Sequence, residues 1–181
     1  MTNALDREMV PKMEDRRWSL PGLGAVGPIP SLKSRLMLFG QFVGDWDILP
    51  PRSQWKGTEP DSTGKARFRW ILGGTGVQDV WGPLDSQSGK LIPQGSTLRF
   101  YDPSLRAWRS TWISPYQRVA RRFFGRREGA EIVLREQDGG WKSENWIFSE
   151  ITRKSFRWRA EARSSPRGSW HIIEEYFIRR A

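Results

Sequence analysis

The chain has 181 residues, of which 37% are hydrophobic and 13% aromatic, with 11 Trp and a formal charge of +10. A disordered chain is poor in aromatics, and this length suits one domain with a sizeable core. Cysteine is absent, which excludes disulfides and thiolate metal sites, and no apolar run approaches the length of a membrane-spanning helix.

The positive charge comes from 23 Arg and 7 Lys. A basic surface attracts phosphate, but these Arg are spread along strand-like segments with acids between them, and no nucleic-acid-binding motif accompanies them. No specific nucleic-acid partner is expected. The first residues mix both charges and carry no apolar signal core, so a cytoplasmic location is the expectation.

Residues 1–34 read as an extension ahead of a domain at 35–181. LDREMVPKMEDRRW suggests a short helix broken at Pro11, and Trp18 suggests some docking. PGLGAVGPIPSLKS, rich in Gly and Pro, reads as irregular. Next, Ser31 is placed to cap a short helix whose Leu32, Leu36 and Phe39 share one face, with Gly40 at its end. The chain then turns strand-like over Phe42–Ile48, around Gly44-Asp45-Trp46.

The remainder alternates with period two in short segments separated by turns. Strands are expected at Ala66–Leu72, Val77–Trp81, Arg118–Phe124, Ala130–Glu136, Trp146–Ile151, Ser155–Ala162 and Trp170–Arg179. The central stretch, STLRFYDPSLRAWRSTWISP at 96–115, reads as a hairpin turning at Asp102-Pro103. Both of its faces carry large residues, which suits a sheet closed on itself, one face lining an interior. About ten strands at short, regular spacing indicate an all-β, antiparallel, up-and-down β-barrel.

A short helix feeding a first strand with Gly44-x-Trp46 resembles the opening of the calycins, which include the lipocalins. In those folds the Trp lies near the closed end of the barrel and a basic residue of the last strand stacks over it. Arg179 or Arg180 could supply that contact. In order, RFRWILGGTGVQDVW, the central hairpin, GAEIVL, WIFSEITRKSFRWRAEA and EEYFIRR resemble an uncharacterised bacterial family of calycin-like barrels, across residues 36–181. The resemblance implies a fold and no shared activity. The chain departs from the pattern at SSPRGS, residues 164–169, where similar proteins carry an acidic turn.

A barrel of this size holds one small ligand. The lining expected from the mixed polar and aromatic strand faces comprises Trp70, Trp81, Arg99, Trp108, Trp112 and Glu175, with Asp79, Tyr101 and Glu161 as candidate acid–base residues. Arg99 is expected to pair with Asp79 or Glu161, because a buried charge needs a partner. Such a site would suit a cofactor-independent isomerase, cyclase or lyase acting on a hydrophobic or aromatic substrate. The alternative is a carrier or sensor of a small hydrophobic ligand, anionic ligands included. Dimerisation through the barrel wall is a third reading. No cofactor or metal is expected: His171 is the single His and reads as a strand-end residue, and Gly73-Gly74-Thr75-Gly76 joins strands as a turn. The run Arg118, Arg121, Arg122, Arg126 and Arg127 reads as a solvated face and turn, with a rim that attracts an anionic ligand or partner as the alternative.

Overall fold

The computed structural model describes residues 23–181. The helix expected around Pro11 and the docking of Trp18 lie outside the described residues. The elements in chain order are β1 (Gly24–Ala25), α1 (Lys33–Gly40), β2 (Gly44–Leu49), β3 (Gly64–Ile71), β4 (Gly76–Pro83) and β5 (Gly95–Asp102). There follow β6 (Ala107–Ser114), β7 (Val119–Glu128), β8 (Glu131–Glu136), β9 (Asn145–Ser149), β10 (Ser155–Arg163) and β11 (Trp170–Arg180). Each of β2–β11 pairs antiparallel with its chain neighbours, and β11 returns to pair with β2. The result is the closed up-and-down barrel that the strand spacing predicts. Closure leaves no long unpaired edge, a general hazard of open sheets.

Residues 24–29, ahead of α1, are tied to the barrel. Gly24 and Ala25 pair with Ile71 and Trp70, and the Ile29 amide donates to the Gly74 carbonyl at 3.1 Å. The helix starts differently from the expectation. Pro30 opens a 3-10 turn over Pro30–Leu32, so Ser31 falls inside that turn and makes no cap hydrogen bond. Leu36 and Phe39, three residues apart on one face, are fully buried, and they plug one end of the barrel.

That closed end is fastened around Trp46. Its indole Nε1–H donates to the Phe42 carbonyl at 2.6 Å, and its ring meets Phe156 edge-on at 4.9 Å. Arg180, from the end of β11, places its guanidinium 4.1 Å above the Trp46 ring and donates to the carbonyls of Val43, Gln41 and Arg153. The same side chain therefore makes the cation–π contact and satisfies carbonyls just beyond the end of α1. Gly44 has φ of +137°, and a Cβ there would lie 2.3 Å from Arg180 Nη1. Both the backbone angle and the passage of the arginine require glycine at the first position of Gly-x-Trp.

The central hairpin shows how its two aromatic-bearing faces are used. Thr97 and Arg99 point inward at 2% exposure, whereas Leu98 and Phe100 point outward at 36% and 40%. The turn between β5 and β6 is organised by Asp102. Its carboxylate accepts hydrogen bonds from the Ser104 amide and hydroxyl and from Arg109 Nε. Ser104 first, then Arg109, hold the Asp102 carboxyl below its usual range, at about 2. A carboxyl depressed in the folded state contributes stability that is complete above its unfolded pKa and lost as pH falls through the folded one. Acid unfolding should therefore steepen between pH 3.8 and about 2. Asp102→Asn should flatten that part of a melting-temperature profile, and identical profiles would remove Asp102 from the acid response.

Many surface carboxylates are paired on the outer wall, for example Asp138 with Arg122 and Glu128 with Arg135. Exposed pairs of this kind contribute about 0–1 kcal/mol each. No helix among the described residues is long and apolar enough to cross a membrane.

Candidate functional site

From the closed end upward the interior is first an apolar plug, then a polar floor, then an aromatic ring around a cavity of about 150 Å³. The plug consists chiefly of Phe39, Phe42, Trp46, Phe148 and Phe156, each at most 2% exposed. Alternation puts them there: β2, β9 and β10 turn every second residue inward, and α1 supplies the cap.

The floor is the ion pair of Arg99 with Asp79, their side chains 3% and 5% exposed. Asp79 stands opposite Thr97 on the neighbouring strand, so Arg99 lies diagonally across from it on the same inner face. Asp79 Oδ1 also accepts the Thr97 amide at 3.0 Å, and Oδ2 takes Arg99 Nη1. The guanidinium rests on the plug, 5.1 Å from the Phe39 centroid and 5.8 Å from that of Phe68. Arg99 Nε has no hydrogen-bond partner among the described residues; nor do Trp108 Nε1 and Ser110 Oγ.

Above the floor, five rings circle the barrel and close on themselves. Trp81 stacks on Trp112 at 5.7 Å, Trp112 meets Trp146 at 5.8 Å, and Trp146 meets Trp158 at 5.5 Å. Trp158 stacks on Tyr176 at 5.9 Å, and Tyr176 returns to Trp81 at 6.3 Å. These are favourable aromatic separations, and each ring limits the rotamers of the next. Gly95 makes room for the first stack. A Cβ there would lie 1.9 Å from the Trp112 ring, so the indole lies directly over the glycine backbone. Gly95→Ala should push Trp112 away from Trp81 and cost about 1–3 kcal/mol by overpacking. Loss of near-ultraviolet circular dichroism together with a lower denaturation midpoint is the expected reading; an unchanged spectrum would mean that the ring tolerates the methyl.

The mouth carries the remaining polar groups. Trp146 Nε1 donates to Glu144, which Arg121 holds at 2.5 Å, with Glu136 3.8 Å from Arg121. Burial pushes the Arg121 guanidinium down, and its contact with Glu144 more than reverses this, leaving it above the usual value. Tyr176 donates its hydroxyl to Glu174 at 2.7 Å. Burial, reinforced by Glu174, raises the phenol well above its ordinary value, so it stays protonated and acts as a donor.

Of the residues named from the sequence, Asp79, Trp81, Arg99 and Trp112 meet at the cavity wall. Trp70, Trp108 and Tyr101 also turn inward but belong to the packing around the plug: Trp108 meets Phe39 at 5.0 Å and Tyr101 lies against Trp108. Glu161 and Glu175 stand outside the barrel, paired with Arg159 and Arg157. The physical reason is that β10 turns Phe156, Trp158 and Ala160 inward, so its charged alternate face meets solvent. In β11, Ile173 is an extra residue opposite the Ala160–Glu161 step, and this bulge resets which side chains face inward beyond it. Sequence reasoning passed over Trp146, Trp158, Tyr176, Glu144 and Glu174 as lining. Of the basic run, Arg121 reaches the cavity, in line with the rim alternative, whereas Arg122, one step of alternation away, faces out to Asp138. His171 is exposed near the start of β11.

The chain matches no known family model, and no curated protein matches it. Its function has to be argued from the site itself.

Proposed function

We propose that this protein binds a small, largely apolar ligand inside the barrel, as a carrier or sensor, and that it belongs among the calycin-like barrels. The observation that carries the binding reading is the cavity between the five-membered aromatic ring and the buried Arg99–Asp79 floor. Apolar walls with a few placed polar groups are the usual composition of a small-molecule site. The calycin-like reading is supported by α1 plugging the closed end and by the stack of Arg180 on Trp46. Native mass spectrometry of the purified protein should reveal a bound small molecule that denaturation releases. Recovery of ligand-free protein, with no response to a metabolite mixture, would remove the reading.

A second reading, acid–base catalysis as a cofactor-independent isomerase, cyclase or lyase, is favoured by the Glu174–Tyr176 pair on the cavity wall. The carboxylate can take a proton from a ligand, and the phenol, whose own proton is directed to Glu174, holds that carboxylate in place. Asp79 is less free for this, since Arg99 and the Thr97 amide both bind it. Once a ligand is in hand, a Glu174→Gln variant that binds it normally but no longer converts it would establish catalysis. Return of the ligand unchanged from the wild-type protein would leave the carrier reading.

A further inference from the structure

We propose that the ligand is an uncharged, single-ring aromatic or conjugated carbonyl compound, seated within the five aromatics with its carbonyl oxygen on the Nη2–H of Arg99. This rests on the binding reading above and specifies its chemical class.

Size comes first. A cavity of about 150 Å³ is comparable with an engineered protein cavity of about that volume that accepts benzene. One ring with a short substituent fills such a space, and a fused polycycle does not. The wall favours a planar occupant, because the five rings offer stacking and edge contacts all around it.

The floor asks for an acceptor. Arg99 is 2% exposed and lines the cavity; Asp79 occupies Nη1, Nε is sealed by packing, and Nη2 makes no hydrogen bond among the described residues. A ligand that displaces water from Nη2 must supply an acceptor or leave a charged donor unpaired, and a carbonyl supplies one.

Charge decides against an anion. The ionisable groups on the lining are Asp79, Glu144 and Glu174 against Arg99 and Arg121. Arg99 is matched by Asp79, and Arg121 by Glu144 with Glu136 nearby. A carboxylate ligand would therefore enter a site whose cations are already neutralised and would face uncompensated carboxylate. A quaternary ammonium ion would suit the rings and Glu174, but it would leave the Nη2–H unpaired and set a cation against Arg99. A neutral carbonyl meets all three conditions.

Four probes of one shape separate these cases by titration calorimetry on the full chain: acetophenone, ethylbenzene, benzoate and phenyltrimethylammonium. Acetophenone should bind about tenfold or more tighter than ethylbenzene, as befits one buried hydrogen bond from a charged donor, and tighter than either ion. Arg99→Lys retains a cation for Asp79 but lacks the second nitrogen of the planar guanidinium fork. It should bring acetophenone to within about threefold of ethylbenzene while ethylbenzene binding persists. Benzoate or phenyltrimethylammonium ranking first in the wild-type protein overturns the proposal, as does equal binding of acetophenone and ethylbenzene, which needs no variant to observe. If no probe binds but another compound co-purifies, the class is wrong and the binding reading stands. If no probe binds and nothing co-purifies, both fall.

Discussion

Replacing Arg99 by methionine is expected to destabilise the protein by about 3–5 kcal/mol, because it strands a buried carboxylate without its counter-ion. Asp79 has a side chain only 5% exposed, and the remaining hydrogen bond, from the Thr97 amide, does not neutralise it. Against a typical domain stability of about 5–15 kcal/mol, that loss is a large fraction of the total. Asp79→Leu should cost a similar amount, since it leaves the guanidinium uncompensated over Phe39 and Phe68. The Arg99→Met, Asp79→Leu double variant should be more stable than either single one, because removing both charges together avoids the desolvation penalty. Urea unfolding of the four proteins measures the cycle. Single substitutions costing under about 1 kcal/mol would mean that water in the cavity solvates either charge alone, so the floor would not be dry. A pair kept despite a stabilising apolar replacement would point to retention for the cavity rather than for folding.

At the opposite end, Trp46→Ala should cost about 3–5 kcal/mol, as expected for emptying a fully buried indole site. The ring is 0% exposed and touches Phe42 and Phe156, and its loss also strips Arg180 of the face it covers. Arg180→Leu should cost less, about 1–2 kcal/mol, since the indole stays packed while one cation–π contact and three bonds to carbonyls are lost. Because neither Trp46 nor Arg180 lines the cavity, the Arg180 variant should keep wild-type ligand affinity when it is folded. Reduced affinity at full folding would show that the closed end and the cavity are coupled. Melting curves paired with ligand titration distinguish the two outcomes.

Much of the barrel was legible before any coordinates. The ten strands follow from period-two alternation cut by Gly, Pro and Asp turns, and the helix face from Leu36 and Phe39. The Trp46–Arg180 contact was legible as a pair of ends, with Arg179 equally available until the register was known. Arg179 pairs with Asp47 on the outer face, and Arg180, one step on, turns to Trp46. Less was legible at the cavity. Asp79 and Glu161 were equivalent partners for Arg99 on pattern alone. The neighbouring position of β4 and β5 selects Asp79, and β10 carries Glu161 on its outer wall to Arg159. The ring of five aromatics had no local signal, since its members come from β4, β6, β9, β10 and β11.

The sequence by itself determined the element types, their order and the two faces of each strand, because alternation and turn chemistry are local properties of the chain. It also determined the absence of cysteine chemistry. Only the tertiary structure decided which face of β10 and β11 points inward, which acid neutralises Arg99 and which side of β7 delivers Arg121 to the mouth. The physical reason is that a period of two gives both faces equal standing. Closure of β11 onto β2, and the bulge at Ile173, choose between them through contacts among residues far apart in the chain.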